Sequence, residues 1–563
     1  MLITLPIMCD VFLHDPLAHD SHAGRTGPLA KVTIPDGAEW YVRPANRHID
    51  GKALALLVKA LVALKPWGLS LRYCSRLQDT DLECLKSLPG LRGVGLSGTR
   101  RTTAALRVLG TLRELRHVNL NGLAADDDTL EWIAKLPQLR HLEIDQATAG
   151  SKGYRALAGC KLLGRLSAEY AAMDDASLAE IAKLQSLKTL GLSGTALDDT
   201  GMRRLQALTQ LERLKIGETK VTDAGLAHLK PLSTLERLDL RGTKGVSGKG
   251  FALLGPKLLI VNAGGTGFDD AGAALVAKLP ALGSLDLSLT KVTNTGLRAL
   301  AACATLERLS LRRTPINDAS VAELAKLPKL TRLSAHDAPE LEGKTLGALS
   351  ALKRLKLARA PVGDAAMANI AGLKQLQNVE LARCKVTGAG LKYLARSETL
   401  SVLSLASSAV SDADLAPLSA LALERVDLSH TRVTDALAPT VRAWTKLREL
   451  ALTATSIGDQ VFTAACQHAG ITLLEVANTK VSTTALQHLK SLKGLRTLDL
   501  SHLPFTDSQL SLLKDCSALS LLMLHGTKVT ATGLASAAHL QVVAEIVLSE
   551  RSPRLTLSDA GKV

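Results

Sequence analysis

The stretch LERLKIGETKVTDAGLAHLKPL, Leu211 to Leu232, decides how this chain folds, because it returns. Close copies begin at Leu187 (LKTLGLSGTALDDTGMRRLQAL), Leu282 (LGSLDLSLTKVTNTGLRALAAC) and Leu306 (LERLSLRRTPINDASVAELAKL). Indexed by the second apolar residue of its L-x-L core, the phrase occurs at 21 positions from Leu71 to Leu548, and 16 of the 20 steps are 24 residues. A catalytic motif appears once or twice. A phrase kept at one period through most of a chain is a structural unit.

The physics of one unit is readable. In LERLKI the apolar residues alternate, so Leu214 and Ile216 point inward from a short strand and Arg213, Lys215 and Gly217 share the other face. The period then changes. Thr222 is a good helix N-cap, Asp223 suits the positive first turn, and Leu226 and Leu229 line one helix face. Pro231 ends the helix. One such unit cannot bury its own leucines, but stacked neighbours can, through a ladder of parallel strands backed by helices. The expectation is therefore an α/β solenoid of about 21 units. Helices are wider than strands, which curves the array into a horseshoe with strands on the concave side and helices on the convex side. Threonine recurs three residues after the strand in 11 units, Thr219 among them, where its hydroxyl can bond a backbone group at the turn. Cys74 and Cys384 take the same slot.

Composition agrees. Aromatic residues are only 2% of 563, so the core must be aliphatic. The net charge of +15 favours acidic partners. No apolar run reaches the ~18 residues of a membrane span, and the N-terminal MLITLPIMCDVFL lacks the basic start and small-residue cleavage site of a secretory signal. The eight cysteines show no C-x-x-C pair, and Cys160, Cys303, Cys466 and Cys516 fall in different repeats, so the cysteines read as free thiols of a reducing, cytoplasmic compartment.

The unit resembles a leucine-rich repeat. The phrase KVTDAGLAHL, the Thr or Cys in the turn slot and the helix-end cysteines Cys160, Cys303, Cys466 and Cys516 are similar to the cysteine-containing subclass, found in F-box-associated substrate receptors and many bacterial proteins. SIGDQVFTAAC at Ser456 resembles units of bacterial effectors that enter host cells. The resemblance covers about 480 residues, departing from the common form by using Thr rather than Asn in the turn slot. It implies protein binding on the concave face and edges without intrinsic catalysis, and it does not name the partner. LPIMCDVFL resembles the Leu-Pro start of an F-box, but the following residues fit that pattern poorly.

The ends divide the chain further. Residues 1–28 read as a flexible segment. Residues 29–66 read as an N-terminal cap, with a β-hairpin turning at Pro35-Asp36-Gly37 followed by a helix. The solenoid occupies 67–550. Residues 551–563 begin an incomplete repeat, LTLSDAGKV, which leaves an uncapped end that would fray or self-associate.

Candidate chemistry is sparse. His14, His19 and His22 alternate with Asp10, Asp15 and Asp20, residue types that hold zinc, but nothing in the segment fixes their geometry. LLIVNAGGTGFDDAG has no G-x-G-x-x-G spacing and sits in the repeat register, with Thr266 in the Thr slot. His336 with Asp337 beside Arg312 is the nearest approach to a catalytic set on the strand face. We expect no catalytic residues, metal or cofactor.

The informative letters are the outward ones. Successive units from Arg308 read Arg308-Ser310-Arg312, Arg332-Ser334-His336, Arg354-Lys356-Ala358 and Asn378-Glu380-Ala382, with Arg313, Arg359 and Arg383 at the adjoining turn. Neighbouring strands would gather these cations into a central basic band. Later units carry Asp427, Glu475, Asp499 and Glu545 on the same face. The band suits an acidic segment of a protein partner, because guanidinium forks match carboxylates. It lacks aromatics for base stacking, so nucleic acid is the second choice. The leading expectation is a non-enzymatic bacterial scaffold. The alternatives are an effector that recruits substrates for host ubiquitin ligation, and a nucleic-acid-associated protein held by charge.

Overall fold

The computed structural model describes residues 1–7, 9–13, 21–26, 31–45, 47–99, 101–537 and 545–547. They fall into two compact units: Met1–Gly267 with Leu279–Leu282, and Phe268–Lys278 with Gly283–Val563. Among the described residues no helix is long and apolar enough to cross a membrane.

A three-residue strand stands at each of the 21 repeat positions, from Gly68–Ser70 to Glu545–Val547. In the first unit the strands pair in parallel and in register, as Leu190 with Leu214 and Leu214 with Leu238. In the second unit Leu309 pairs with Leu333 and Leu333 with Leu355 in the same way. The two inward residues of the quoted unit are sealed: Leu214 is 1% exposed and Ile216 0%. Short α- or 3-10 helices return each chain to the next strand, as Asp223–Leu226 and Ala227–Leu229 do for the quoted unit.

The Thr slot forms the expected polar column. The hydroxyls of Thr195, Thr219, Thr290 and Thr314 donate to the carbonyl three residues back at 2.6–2.7 Å. Thr266 does the same to Ala263, so the glycine-rich stretch around it is an ordinary repeat turn. The Cys384 thiol replaces the hydroxyl, donating to the Leu357 carbonyl at 3.3 Å. All eight cysteines are free, and burial pushes the thiols of Cys74 and Cys466 up to about 12.

The Asp beside each N-cap does more than favour the helix dipole. Thr222 caps its own helix through the Ala224 amide. Asp223 instead reaches the following repeat, accepting from Ser247 Oγ at 2.6 Å and from the amides of Ser247, Gly248 and Gly250 at 3.0–3.1 Å. Burial pushes its carboxyl up, but these donors outweigh burial and hold it below the usual carboxylate range. Asp199, Asp270 and Asp364 make the same staple to Thr222, Thr293 and Thr387.

The N-terminal region pairs differently from the expected hairpin. Val32–Thr33 pairs with Leu2–Ile3, and Trp40–Pro44 pairs antiparallel with Cys9–Leu13. Cys9–Leu13 also pairs with Ser21–Thr26, and Trp40–Pro44 passes the ladder on to Gly68–Ser70. Burial explains the choice: Cys9, Val11, Trp40 and Val42 are all sealed, which a local hairpin over Lys31 to Val42 would not achieve. The helix Gly51–Leu64 follows, capped by Asp50. The C-terminal stretch expected to self-associate lies outside the described residues.

Candidate partner-binding surface

The outward face of the second unit is built by register. Arg308, Arg332 and Arg354 are consecutive cross-strand partners, followed by Asn378. One residue slot further, Ser310, Ser334, Lys356 and Glu380 form the next column. Arg312 and His336 lie beyond it. Arg313, Asp337, Arg359 and Arg383 then occupy a turn position whose φ is positive (53°, 55°, 61° and 58°). That left-handed turn recurs in both units, from Tyr73 to Gly526.

Four of the band's cations are already engaged. Asp337 Oδ2 takes Arg312 Nε at 3.2 Å and Arg313 Nε at 3.5 Å, and Arg359 closes on both of its oxygens. Hydrogen bonding from Arg359, and then from Arg312, overcomes burial and holds the Asp337 carboxyl well below its usual range. Lys356 pairs with Glu380 at 2.8 Å. The Asp337 cluster follows from the turn, which aims side chains of neighbouring repeats at one another, whereas Lys356 and Glu380 are direct cross-strand partners. Arg308, Arg332, Arg354 and Arg383 are exposed and have no ion-pair partner among the described residues.

His336 is half-buried beside this knot. Burial lowers its imidazole; Glu380 opposes the shift, while Lys356, Arg359 and Arg312 add to it. Asp337 is committed to three arginines, so the His336, Asp337 and Arg312 set is an electrostatic clamp rather than an acid–base pair. Of the histidines and aspartates of the N-terminal segment, only Asp10 is described with its side chain; it is buried and pairs with Arg43 at 3.1 Å. His14, Asp15, His19, Asp20 and the His22 side chain lie outside the described residues.

The late acidic residues are placed on the same face. Asp427 accepts from Ser404 Oγ at 3.1 Å, and Asp499 accepts from the Ser501 amide at 2.9 Å. Burial, then Asp499, Asp427 and Glu449, push the Glu475 carboxyl up. The Glu545 side chain is outside the described residues.

Reading the face only from Arg308 onward misses a second group in the first unit. Glu143 accepts from Asn119 at 2.5 Å and Asn121 at 3.3 Å. Asp145 accepts from Ser167 Oγ at 2.6 Å, and Glu169 pairs with Lys215 at 2.9 Å. These acids share a cavity of about 420 Å³ with Arg165, Arg213 and Arg237. The same three outward slots, read from the first repeat, would have revealed them.

The family description "Leucine-rich repeat region" matches residues 68–390, more than half of the chain. The chain belongs to the leucine-rich repeat family. Solved structures with similar leucine-rich repeat architecture include a TLR13–ssRNA13 complex (17% identity, 86% of this chain and 77% of that one, TM-score 0.56). Another is the mouse RP105/MD-1 complex (16% identity, 86% and 85%, TM-score 0.53). A leucine-rich repeat protein of Leptospira interrogans aligns at 18% identity over 75% of this chain and 98% of its own, with TM-score 0.42. A search of curated proteins finds no match. Leucine-rich repeats commonly serve as protein-interaction scaffolds.

Proposed function

We propose that this protein is a non-enzymatic scaffold that binds an acidic segment of a partner protein along the outward strand face of its second unit. The observation that carries this reading is the in-register column Arg308–Arg332–Arg354, exposed and unneutralised, with Arg383 beyond it. Arg312, Arg313, Arg359 and Lys356 support the column rather than contact the partner first, because Asp337 and Glu380 already hold them. Guanidiniums one strand spacing apart, about 4.8 Å, suit a row of carboxylates. Eight free cysteines, most of them sealed, favour a reducing, cytoplasmic setting.

The test is affinity capture from the native host, with quantitative mass spectrometry, comparing the intact protein with Arg308→Glu/Arg332→Glu/Arg354→Glu. Capture of the principal partner should be lost while the thermal midpoint moves by no more than about 2 °C, since all three side chains are exposed. Undiminished capture removes the proposal.

A further inference from the structure

We infer that Lys329, Arg332, Lys353 and Arg354 form a cup, on the edge where helices return to strands in the second unit, that takes a phosphorylated side chain of the partner protein. The inference rests on the protein-binding reading above and adds the chemistry of the partner's key group.

Backbone rungs fix the cup. Glu307, Thr331, Lys353 and Gln377 occupy one slot of four successive repeats. The Thr331 amide donates to the Glu307 carbonyl at 2.9 Å, Lys353 to Thr331 at 2.8 Å, and Gln377 to Lys353 at 2.9 Å. Arg332 and Arg354 follow in the next slot as cross-strand partners. The four cations line a cavity of about 410 Å³ with Glu307 at one end. All four are exposed, and none has an ion-pair partner among the described residues.

The charge count selects the ligand. A single carboxylate would leave most of this charge unanswered. A phosphoryl group brings a charge near −2 and three acceptor oxygens, enough to take two guanidinium forks and two ammonium groups together. Crowding is already felt: burial, then Arg354 and Arg308, lower Arg332 from the usual guanidinium value.

A partial counterpart lies further along. Lys446 and Arg448 stand in the slots of Lys329 and Lys353, and Glu424 in that of Glu307; with Arg442 they line a second cavity of about 570 Å³. The slot of Arg332 and Arg354 is there filled by Arg425 and Glu449, which pair with each other. Each cup is closed on one side by its glutamate, and Glu398 lies on the return segment between them. Discrete phosphoryl groups fit this interrupted pattern better than the continuous backbone of a nucleic acid, which would meet those carboxylates.

Fluorescence anisotropy on the full chain tests this with a labelled peptide carrying two phosphoserines. Its aspartate counterpart, sodium pyrophosphate and a 20-base-pair DNA duplex are the comparison probes. The phosphopeptide should bind at least about tenfold tighter than the aspartate peptide. Lys329→Gln/Lys353→Gln and Arg332→Gln/Arg354→Gln should each weaken it about tenfold or more, while Lys220→Gln, an exposed lysine of the first unit, leaves it unchanged. Equal affinity for the aspartate peptide, indifference to the four substitutions, pyrophosphate binding as tightly as the peptide, or duplex DNA binding more tightly each overturns the inference. Phosphatase treatment before affinity capture separates the two readings. Capture that survives phosphatase but not Arg308→Glu/Arg332→Glu/Arg354→Glu leaves the scaffold standing and removes the phosphate. Capture that survives both removes the two together.

Discussion

The two units furnish their outward faces differently: the opening arginines are bordered by Glu143, Asp145 and Glu169 in the first and by Ser310, Ser334 and Lys356 in the second. In the first, Glu143, Asp145 and Glu169 spend their hydrogen-bonding capacity on Asn119, Asn121, Ser167 and Lys215. In the second, Arg308, Arg332 and Arg354 keep theirs. The parallel strand ladder is the same, and both cores are mainly aliphatic. Surface chemistry in this chain is therefore written independently of the core, and a satisfied patch can be told from an available one by its partners rather than its charge.

The largest expected effect tests the shared part. Leu214→Ala in the first unit and Leu333→Ala in the second remove side chains that are 1% exposed, and each should cost about 2–5 kcal/mol in urea unfolding. A clear difference in the midpoint slope or cost between the two would show that the cores are not equivalent. Next comes the difference itself. Arg332→Glu/Arg354→Glu should weaken partner capture at least about tenfold, whereas Arg165→Glu/Arg213→Glu, in the matching slots of the first unit, should not. Equal losses would dissolve the contrast.

A smaller effect is a pH dependence. Burial, then Asp145, raise the Glu143 carboxyl above its usual value. The folded state then holds this proton more tightly than the unfolded chain, so stability is lost as pH rises from the unfolded value through the folded one. Glu143→Gln should flatten that slope on the acid side of neutrality, read from urea midpoints at a series of pH values. Asp337 has the opposite sign. Its depressed carboxyl contributes stability above the unfolded value, and that contribution disappears only as pH falls through the folded one. The smallest stability effect is Asp337→Asn, expected below about 1 kcal/mol because its arginine partners are exposed. The same change frees three guanidiniums and should tighten binding of an acidic peptide; weaker binding would show that the knot orients the band.

Much of the fold was legible because each rule operates inside one repeat. L-x-L alternation, the Thr hydroxyl and the N-cap all close within a few residues. What escaped involves partners about one period away. The Asp223 staple joins residues 24 apart, and Arg359 meets Asp337 across 22; both become predictable only when the repeats are aligned in register. The N-terminal pairing escaped for another reason. Pro35-Asp36-Gly37 is good turn material, but burial of Trp40 and Val42 against Cys9 and Val11 outweighed the local signal. The basic band was legible as letters, and its partial neutralisation was not, because a residue's sign says nothing about which neighbour the turn aims at it.

The left-handed turn has a consequence of its own. Glycine holds this position at Gly98, Gly194 and Gly526, yet Leu289 sits there half exposed with φ near 58°. An L-residue in that region costs roughly 1 kcal/mol that glycine would not. Each side chain retained at the turn is thus a small standing load on the backbone. The column of such loads is a graded reserve: an engineer seeking a tougher protein would relieve it at Leu289, and one seeking a new ligand would rewrite it at Arg383.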